Sequence, residues 1–196
     1  IKVELPSGDP TRVLVPQRGG VSSVFVQQNR GKRSVCIDLG RPEAADVVRR
    51  IVPHVDVVVE NSTPGIMAKR GLGYDDLSAI NPRLIMASVS GFGQTGPWRT
   101  KGCYDFIAQG MAGLMHMTGE PDGPPYFVGS SIADTGTAVH AFASLGYALY
   151  HRERTGRGQQ IDVSLIDPIF HMHSIAVQGW SATDGHGTSA QFGVVA

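Results

Sequence analysis

The stretch "VDVVVENSTPGIMAKRGLGYDDLSAINPRLIMASVS", residues 55–90, decides the fold. It opens with a nearly continuous valine run at 55–60, which is typical of a strand buried on both faces of a sheet. A second apolar run at 83–90 predicts the next strand, and helical segments at 63–71 and 74–80 lie between the two. Because helical crossovers join parallel strands, the stretch predicts two parallel strands of an α/β sheet.

The alternation of strand and helix extends in both directions from this stretch. In chain order, the further elements are strand 33–39, helix 41–52, a long helix from Thr135 to about Arg154, strand 159–165 and a last helix opened by Asp167-Pro168. This order predicts an α/β fold with a Rossmann-like parallel sheet flanked by helices.

Several helix ends are predicted from single residues. Thr63 is expected to cap the helix at 63–71, and Gly71 and Gly156 are expected to end the helices that precede them. The long helix reads as amphipathic, because its large apolar residues follow roughly helical spacing. These residues are Val139, Phe142, Ala143, Leu145, Tyr147 and Leu149.

The composition excludes several classes of partner. Lys plus Arg and Asp plus Glu number 17 each among 196 residues, so no overall charge favours nucleic acid or an anionic membrane surface. Cys36 and Cys103 fit neither a disulfide framework nor a zinc-ligand spacing, which favours a cytoplasmic location. No apolar stretch is long enough to span a bilayer, and no signal peptide is recognised. We expect no nucleic-acid, membrane or metal partner.

The tetrapeptide Asp-Thr-Gly-Thr at 134–137 has three interpretations. Half of an aspartic-protease site is disfavoured, because that site needs a partner copy and a β-rich body. Asp134 is also a good N-cap for the long helix that follows it. As a nucleophile, its carboxylate would be favoured by the helix N-terminus and by small neighbouring residues. The local sequence leaves the last two interpretations open.

Other motifs point to ligands less directly. The segment "GFGQTG" at 91–96 matches a dinucleotide fingerprint, but "PWRTKG" follows where a helix is required. A glycine-rich loop close to a ligand remains plausible. The "HMH" at 171–173 is a poor metal site, because helical residues two apart face different sides. Three basic clusters suit a phosphorylated ligand: Arg30, Lys32 and Arg33; Lys69 and Arg70; Arg99 and Lys101.

Together these segments resemble the class III CoA-transferases, the family of formyl-CoA:oxalate and carnitine CoA-transferases, which also contains 2-methylacyl-CoA racemases. The resemblance rests on four stretches that cover about two thirds of the chain in order. They are "NRGKRSVCIDL" at 29–39, residues 55–97, "YDFIAQGMAGLMHMTGEPDGPP" at 104–125 and "IADTGTAVHAFASLGYALYHRERTGRGQQIDVSLID" at 132–167.

The resemblance implies transfer of CoA between carboxylic acids through mixed-anhydride and aspartyl-CoA intermediates on Asp134. It implies no permanent cofactor, with CoA and acyl-CoA as substrates. Racemisation of a 2-methylacyl-CoA is the first alternative, but racemases carry His where this chain has Tyr104. A truncated, non-catalytic CoA-binding domain is the other alternative.

The resemblance also implies CoA-binding residues and an assembly. Residues 1–178 would be part of the large domain of a two-domain fold, and 179–196 a tail or linker toward a small domain. Family members form interlocked homodimers, so we expect one here. The implied CoA-binding residues are Ile37, Asp38, Leu39, Gly40, Asn61, Ser62, Thr63, Lys69, Arg70, Lys101, Tyr104 and Asp105.

Overall fold

Strand β6 (Ile85–Ser90) lies at the centre of a three-stranded parallel sheet, between β5 (Val57–Glu60) and β7 (Gln160–Ser164). The computed structural model describes residues 1–120 and 122–183, and it divides into a first unit of residues 1–51 and a second unit from Val52 onward. The sheet belongs to the second unit. The predicted parallel α/β fold is confirmed.

Among the described residues, β6 alone of the three strands has a strand on each side, and it is the most buried of them. Its residues Ile85, Met86 and Ala87 are essentially inaccessible to solvent. Strand β5 was predicted to be buried on both faces, and this is wrong, since Val59 is 62% exposed. Among the described residues β5 pairs only with β6, which leaves it at the edge of the sheet.

A long helix, α6 (Ile132–Thr155), packs against β6 and β7 with its small residues rather than its large ones. Gly136 is one of them: a Cβ there would lie 2.9 Å from the Met172 side chain. The large apolar residues predicted as one stripe are not the packing face, since Phe142 and Tyr147 are more than 70% exposed. The buried residues of the helix are Ala133, Gly136, Thr137, Ala141, Ala148 and Arg152.

The remaining helices of the second unit include those predicted at 63–71, at 74–80 and after Asp167, with two changes. The helix predicted over 63–71 begins only at Ile66, because Gly65 has a φ of 87° and takes the N-cap position that Thr63 was expected to hold. The last predicted helix is divided in two at His173. These helices are α3 (Ile66–Lys69), α4 (Tyr74–Ile80), α5 (Asp105–Met111), α7 (Ile166–Met172) and α8 (Ser174–Ala182).

In the first unit, β1 (Lys2–Glu4) and β4 (Ser34–Cys36) form a parallel pair. Glu4 is buried and accepts two hydrogen bonds from Arg12 and one from Ser34. The other elements of this unit are a 3-10 helix (Pro10–Val13), the hairpin of β2 (Gln17–Arg18) and β3 (Val21–Ser22), helix α1 (Ser23–Asn29) and helix α2 (Pro42–Ile51).

Within the described ranges, no helix combines the length and the apolar character that a membrane crossing requires. The predicted division at residue 178 falls inside α8, and residues 184–196 of the predicted tail lie outside the described residues. The assignment of 1–178 to a large domain stays a prediction.

Candidate active site

The N-terminus of α6 lies at the carboxyl edge of the sheet. Helix α6 leads directly into β7, so it runs antiparallel to the strands and its first turn returns to the edge where the strands end. The Thr137 hydroxyl in this part of the helix donates a hydrogen bond to the carbonyl of Ser164, the last residue of β7 (3.4 Å). Ligands of open α/β sheets bind at this edge.

Asp134 is in the first turn of α6 but does not cap it. The N-cap position is held by Ser131, so Asp134 is the third helical residue and its interpretation as an N-cap is wrong. Its side chain is exposed, and its carboxylate accepts no hydrogen bond from residues 1–120 or 122–183. The carboxylate is therefore free to meet a ligand.

The capping function is supplied from elsewhere in the chain by Asp105. Its carboxylate atom Oδ2 accepts a hydrogen bond from the backbone N–H of Asp134 (3.0 Å), and this satisfies one of the free donors at the start of α6. Asp105 is the first residue of α5 and is only 7% exposed. A carboxylate from one helix thus anchors the first turn of another.

A small apolar cluster supports this junction of α5, α6 and α7. Its side chains are mostly alanine, which allows the three helices to approach one another closely. The cluster holds the two aspartates on packed helices rather than on loops. Its buried members are Ala108, Ala112, Ala133, Leu165 and Ile169.

The surroundings raise the pKa of Asp134. Although the residue is exposed, nearby protein atoms displace water from its carboxylate, and the negative charge of Asp105 adds to this effect. The pKa of the Cys103 thiol is raised as well, first by burial and then by the charges of Asp134 and Asp105. The site thus groups two carboxylates and a thiol that is held in its protonated form.

The glycine-rich loop at 91–96 reaches this group through Cys103. A Cβ on Gly91 would lie 2.2 Å from Cys103 Cβ, so only glycine allows this contact. Farther along, Lys101 lies over the Trp98 ring at 4.6 Å. Between the loop and α5, a stretch that the structure describes throughout, no helix begins, so the loop lacks the helix of a dinucleotide-binding fingerprint.

Five predicted CoA-binding residues of the second unit lie directly after β5 or at the end of α3. Ser62 donates its N–H to the Glu60 carboxylate (2.8 Å), which turns the chain away from the strand. Asn61 and Thr63 are exposed, as are Lys69 and Arg70 at the end of α3. In the described part of the chain, neither Lys69 nor Arg70 forms an ion pair.

A cleft of about 370 Å³ lies beside this segment and has an acidic lining. It is bounded by Thr63, by residues of β6 and β7, and by the carboxylates of Glu60, Asp75 and Asp76. Neither Asp134 nor Asp105 belongs to its described lining. The structure thus places 61–63 and Asp134 at the same edge of the sheet, but not in this one cleft.

Two of the remaining predicted residues differ in accessibility. Tyr104 is 74% exposed and stacks on Phe106, whereas its neighbour Asp105 is buried.

In the first unit, Ile37 is buried and donates its N–H to the Glu4 carbonyl (2.8 Å). Asp38 accepts a hydrogen bond from the N–H of Gly40 (3.0 Å), which makes a tight turn around Leu39.

Sequence reasoning did not identify Gln109 or Cys103 as part of the site. Gln109 is completely buried and binds the Asp105 carboxylate through its amide nitrogen. The signal for Gln109 was present, since residues four apart on a helix face each other and Gln109 follows Asp105 by four. Cys103 has no comparable local signal, because its place depends on contact with Gly91.

Comparison with known proteins places the chain among CoA-transferases. The family model described as CoA-transferase family III matches residues 1–193. An acetyl-CoA:oxalate CoA-transferase from Acetobacter aceti is 45% identical over 93% of this chain and 48% of its own length. A succinate–glutarate CoA-transferase from Agrobacterium fabrum is 45% identical over 85% of this chain and 44% of its own length.

A solved structure agrees with these relatives. The crystal structure of a CAIB/BAIF family protein from Brucella suis superposes with a TM-score of 0.87 at 41% identity. It covers 93% of this chain, and the chain covers 50% of it. The chain thus spans about half the length of the relatives it matches.

Proposed function

The chain belongs to CoA-transferase family III, and from this premise we propose that the whole protein transfers CoA between carboxylic acids, with Asp134 as the nucleophile. The carboxylate of Asp134 is the observation that carries the proposal. It accepts no hydrogen bond from the described residues, whereas the backbone beneath it is anchored by Asp105. An exposed carboxylate without a protein partner, held on an anchored helix N-terminus, is accessible to a substrate.

The reaction begins when the Asp134 carboxylate attacks the carbonyl carbon of the donor thioester. The carbon–sulfur bond breaks, CoA leaves as its thiolate, and a mixed anhydride joins Asp134 to the donor acid. The thiolate then attacks the Asp134 carbonyl carbon, so the donor acid leaves as a carboxylate and an aspartyl-CoA thioester remains. An acceptor carboxylate reverses both steps and restores free Asp134. These reaction steps need no net transfer of a proton.

The electrostatics of the site support this role. A carboxylate whose pKa is raised is more basic, and its ionised form is therefore a stronger nucleophile. The N-terminus of α6 carries partial positive charge, which stabilises negative charge that develops beside Asp134. The raised pKa of Cys103 keeps this thiol protonated, so it does not compete as a nucleophile.

The residues proposed to bind CoA have separate roles. Exposed Lys69 and Arg70 suit its phosphates, and Lys101 suits the part of the molecule nearer the thioester. The segment 61–63 at the end of β5 and the turn at 37–40 complete the proposal, together with exposed Tyr104. Burial of Asp105, with both oxygens engaged, supports a positioning role for it rather than contact with CoA.

The substrate class and assembly follow from the same premise. Relatives are named for transfer involving oxalate, succinate and glutarate, which supports a small carboxylic acid as the acceptor. An interlocked homodimer and a cytoplasmic location belong to the proposal, and light scattering and cell fractionation test them.

The decisive experiment is to trap the covalent intermediate. The whole protein is incubated with acyl-CoA, treated with hydroxylamine, and mapped by mass spectrometry. We expect a hydroxamate at Asp134 in the wild type and none in Asp134→Asn. A hydroxamate elsewhere, or proton exchange next to the thioester with no adduct at all, would contradict the proposal. The second result would indicate racemase chemistry.

A further inference from the structure

Gln109 is a fully buried polar residue at the centre of the α5–α6 junction. Its amide nitrogen donates to Asp105 Oδ1 and to the carbonyl of Ser130, and its amide oxygen accepts from the N–H of Val128 (3.1 Å). Both N–H groups of the amide are therefore used. Turning the amide over would place oxygen against oxygen and N–H against N–H, so its orientation is fixed.

These contacts hold the first turn of α6 from two directions. On one side, Gln109 binds Oδ1 of Asp105 while the other oxygen, Oδ2, accepts the N–H of Asp134. The rotation of the Asp105 carboxylate is thus set by Gln109. On the other side, Gln109 holds Val128 and Ser130, the segment that leads directly into α6.

Packing alone does not account for a glutamine at this position. The buried residues of the surrounding cluster are apolar, including Ala108 beside it on α5 and Ala112 at the C-terminal cap of that helix. Burying an amide among such residues costs free energy unless each polar atom is paired, and a leucine would fill a similar volume without that cost. The role of Gln109 therefore lies in its polar contacts rather than in filling space.

We propose that Gln109 is a positioning residue for the nucleophile Asp134, acting through Asp105 and through the segment 128–130. The proposal rests on the proposed function of Asp134. Gln109 reaches no ligand, since it is completely inaccessible to solvent. Its effect is to keep the Asp134 carboxylate in the geometry for attack, where a displacement of about 1 Å lowers a rate by roughly 100-fold.

The test compares Gln109→Leu and Gln109→Glu in the whole protein. Gln109→Leu removes all three contacts, whereas a buried glutamate beside the Asp105 carboxylate takes up a proton, keeps an acceptor for Val128 and retains one donor, which can bind Asp105. Single-turnover experiments with excess enzyme and acyl-CoA, trapped with hydroxylamine, give a rate constant and an amplitude for modification of Asp134. The exposed Gln28 provides the matched control, Gln28→Leu.

We expect the rate constant to fall by about 10- to 100-fold in Gln109→Leu and by less in Gln109→Glu, with the KM for acyl-CoA nearly unchanged. A merely structural role would lower the amplitude, because fewer molecules are folded, and leave the rate constant as in the wild type. That result in folded Gln109→Leu would overturn the proposal. Absence of an adduct in the wild type would instead overturn the proposed function of Asp134.

Discussion

Glu4 and Asp134 are carboxylates that the protein treats in opposite ways. Glu4, in the first unit, is buried and receives hydrogen bonds from Arg12 at 2.9 and 2.8 Å and from Ser34 at 2.8 Å. These contacts, those from Arg12 first, lower its pKa to about 2. Asp134, in the second unit, is exposed, receives none from the described residues, and has a raised pKa.

The difference indicates which carboxylate stabilises the fold and which is held for chemistry. Hydrogen bonds to the ionised form stabilise it, and the folded state gains from them. A raised pKa means that the folded state disfavours the ionised form of Asp134. Such unfavourable free energies are concentrated at functional sites. We therefore expect a change at Asp134 to affect activity first, and the loss of contacts to Glu4 to affect stability.

The largest expected effect is on activity in Asp134→Asn. Removing the nucleophile should lower kcat by about 1,000-fold or more in a coupled assay of CoA transfer. The thermal midpoint should not fall, because the carboxylate accepts no hydrogen bond from the described residues. Glu43→Gln is the matched control, since Glu43 is also an exposed acid in the first turn of a helix. Activity within about tenfold of wild type would leave Asp134 without a catalytic role.

The next effect is expected from Asp105→Asn. The asparagine oxygen still accepts the N–H of Asp134. Its NH2 group, however, faces the NH2 group of Gln109, so two donors meet without an acceptor and we expect kcat to fall by about 10- to 100-fold. Loss of the Asp105 charge should also lower the pKa of Asp134, which this charge helps to raise. Activity is lost as pH falls through the pKa of the nucleophile, so the acid limb of the pH–rate profile should move to lower pH.

The direction of this shift distinguishes an effect of the Asp105 charge from an effect of its packing. If Asp105 only filled space, kcat would change while the acid limb of the profile stayed where it is in the wild type. Movement to higher pH would contradict the electrostatic explanation altogether.

The periodic parts of the fold were predictable from sequence because local rules determine them. The helices at 42–51 and 74–80 and the strand at 85–90 are where apolar spacing and Pro or Gly signals predict them. Gly156 ends α6 as expected, with a φ of 75°. In each case the residues that decide the element lie within it or next to it.

Apart from the late start of α3, which the neighbouring Gly65 causes, the wrong predictions depend on residues far apart in the chain. Asp134 is not the cap of α6 because a carboxylate 29 positions earlier, that of Asp105, takes the N–H of Asp134. The packing face of α6 consists of small residues because α7 and the sheet lie close to it, as the contact of Gly136 with Met172 shows. A hydrophobic pattern alone cannot distinguish that face from one of large exposed residues.

The site itself was predictable only in part. The order of motifs identified Asp134 and the segment around Asp105 through the resemblance, and both lie at the α5–α6 junction. Nothing local to the sequence shows that Asp105 is buried or that Gln109 fixes its carboxylate. These contacts exist only once three helices have packed together.

A smaller effect, on stability, is expected from Arg12→Ala. It removes the two hydrogen bonds that Arg12 donates to the buried Glu4 carboxylate, so the thermal midpoint should fall, and amide exchange should accelerate in β1 and β4. In the wild type, the contribution of Glu4 to stability is present above its unfolded pKa of 4.5 and is lost as pH falls toward about 2. In Arg12→Ala the unfolded pKa is unchanged, so this loss should be smaller and should be complete at a higher pH than in the wild type.

The exposed pair of Arg41 and Asp38 provides the control for this prediction. Both side chains are well exposed, at 77% and 43%, so Arg41→Ala should change the thermal midpoint little. An equal fall in both variants would show that Arg12 stabilises the first unit by something other than its pairing with buried Glu4.

The smallest effect is on the stability of Asp134→Asn as a function of pH. Because the folded-state pKa of Asp134 is raised, the wild-type side chain favours folding only below its unfolded pKa of 3.8, and this contribution is lost as pH rises through the folded value. The variant has no such loss, so it should be more stable than the wild type at pH 7, by less than about 1 kcal/mol because solvent screens an exposed carboxylate. Denaturant titrations at pH 7 and pH 3 measure the difference, which should vanish at pH 3. A variant less stable than the wild type at pH 7 would place Asp134 with Glu4, among the carboxylates that the fold uses for its own stability.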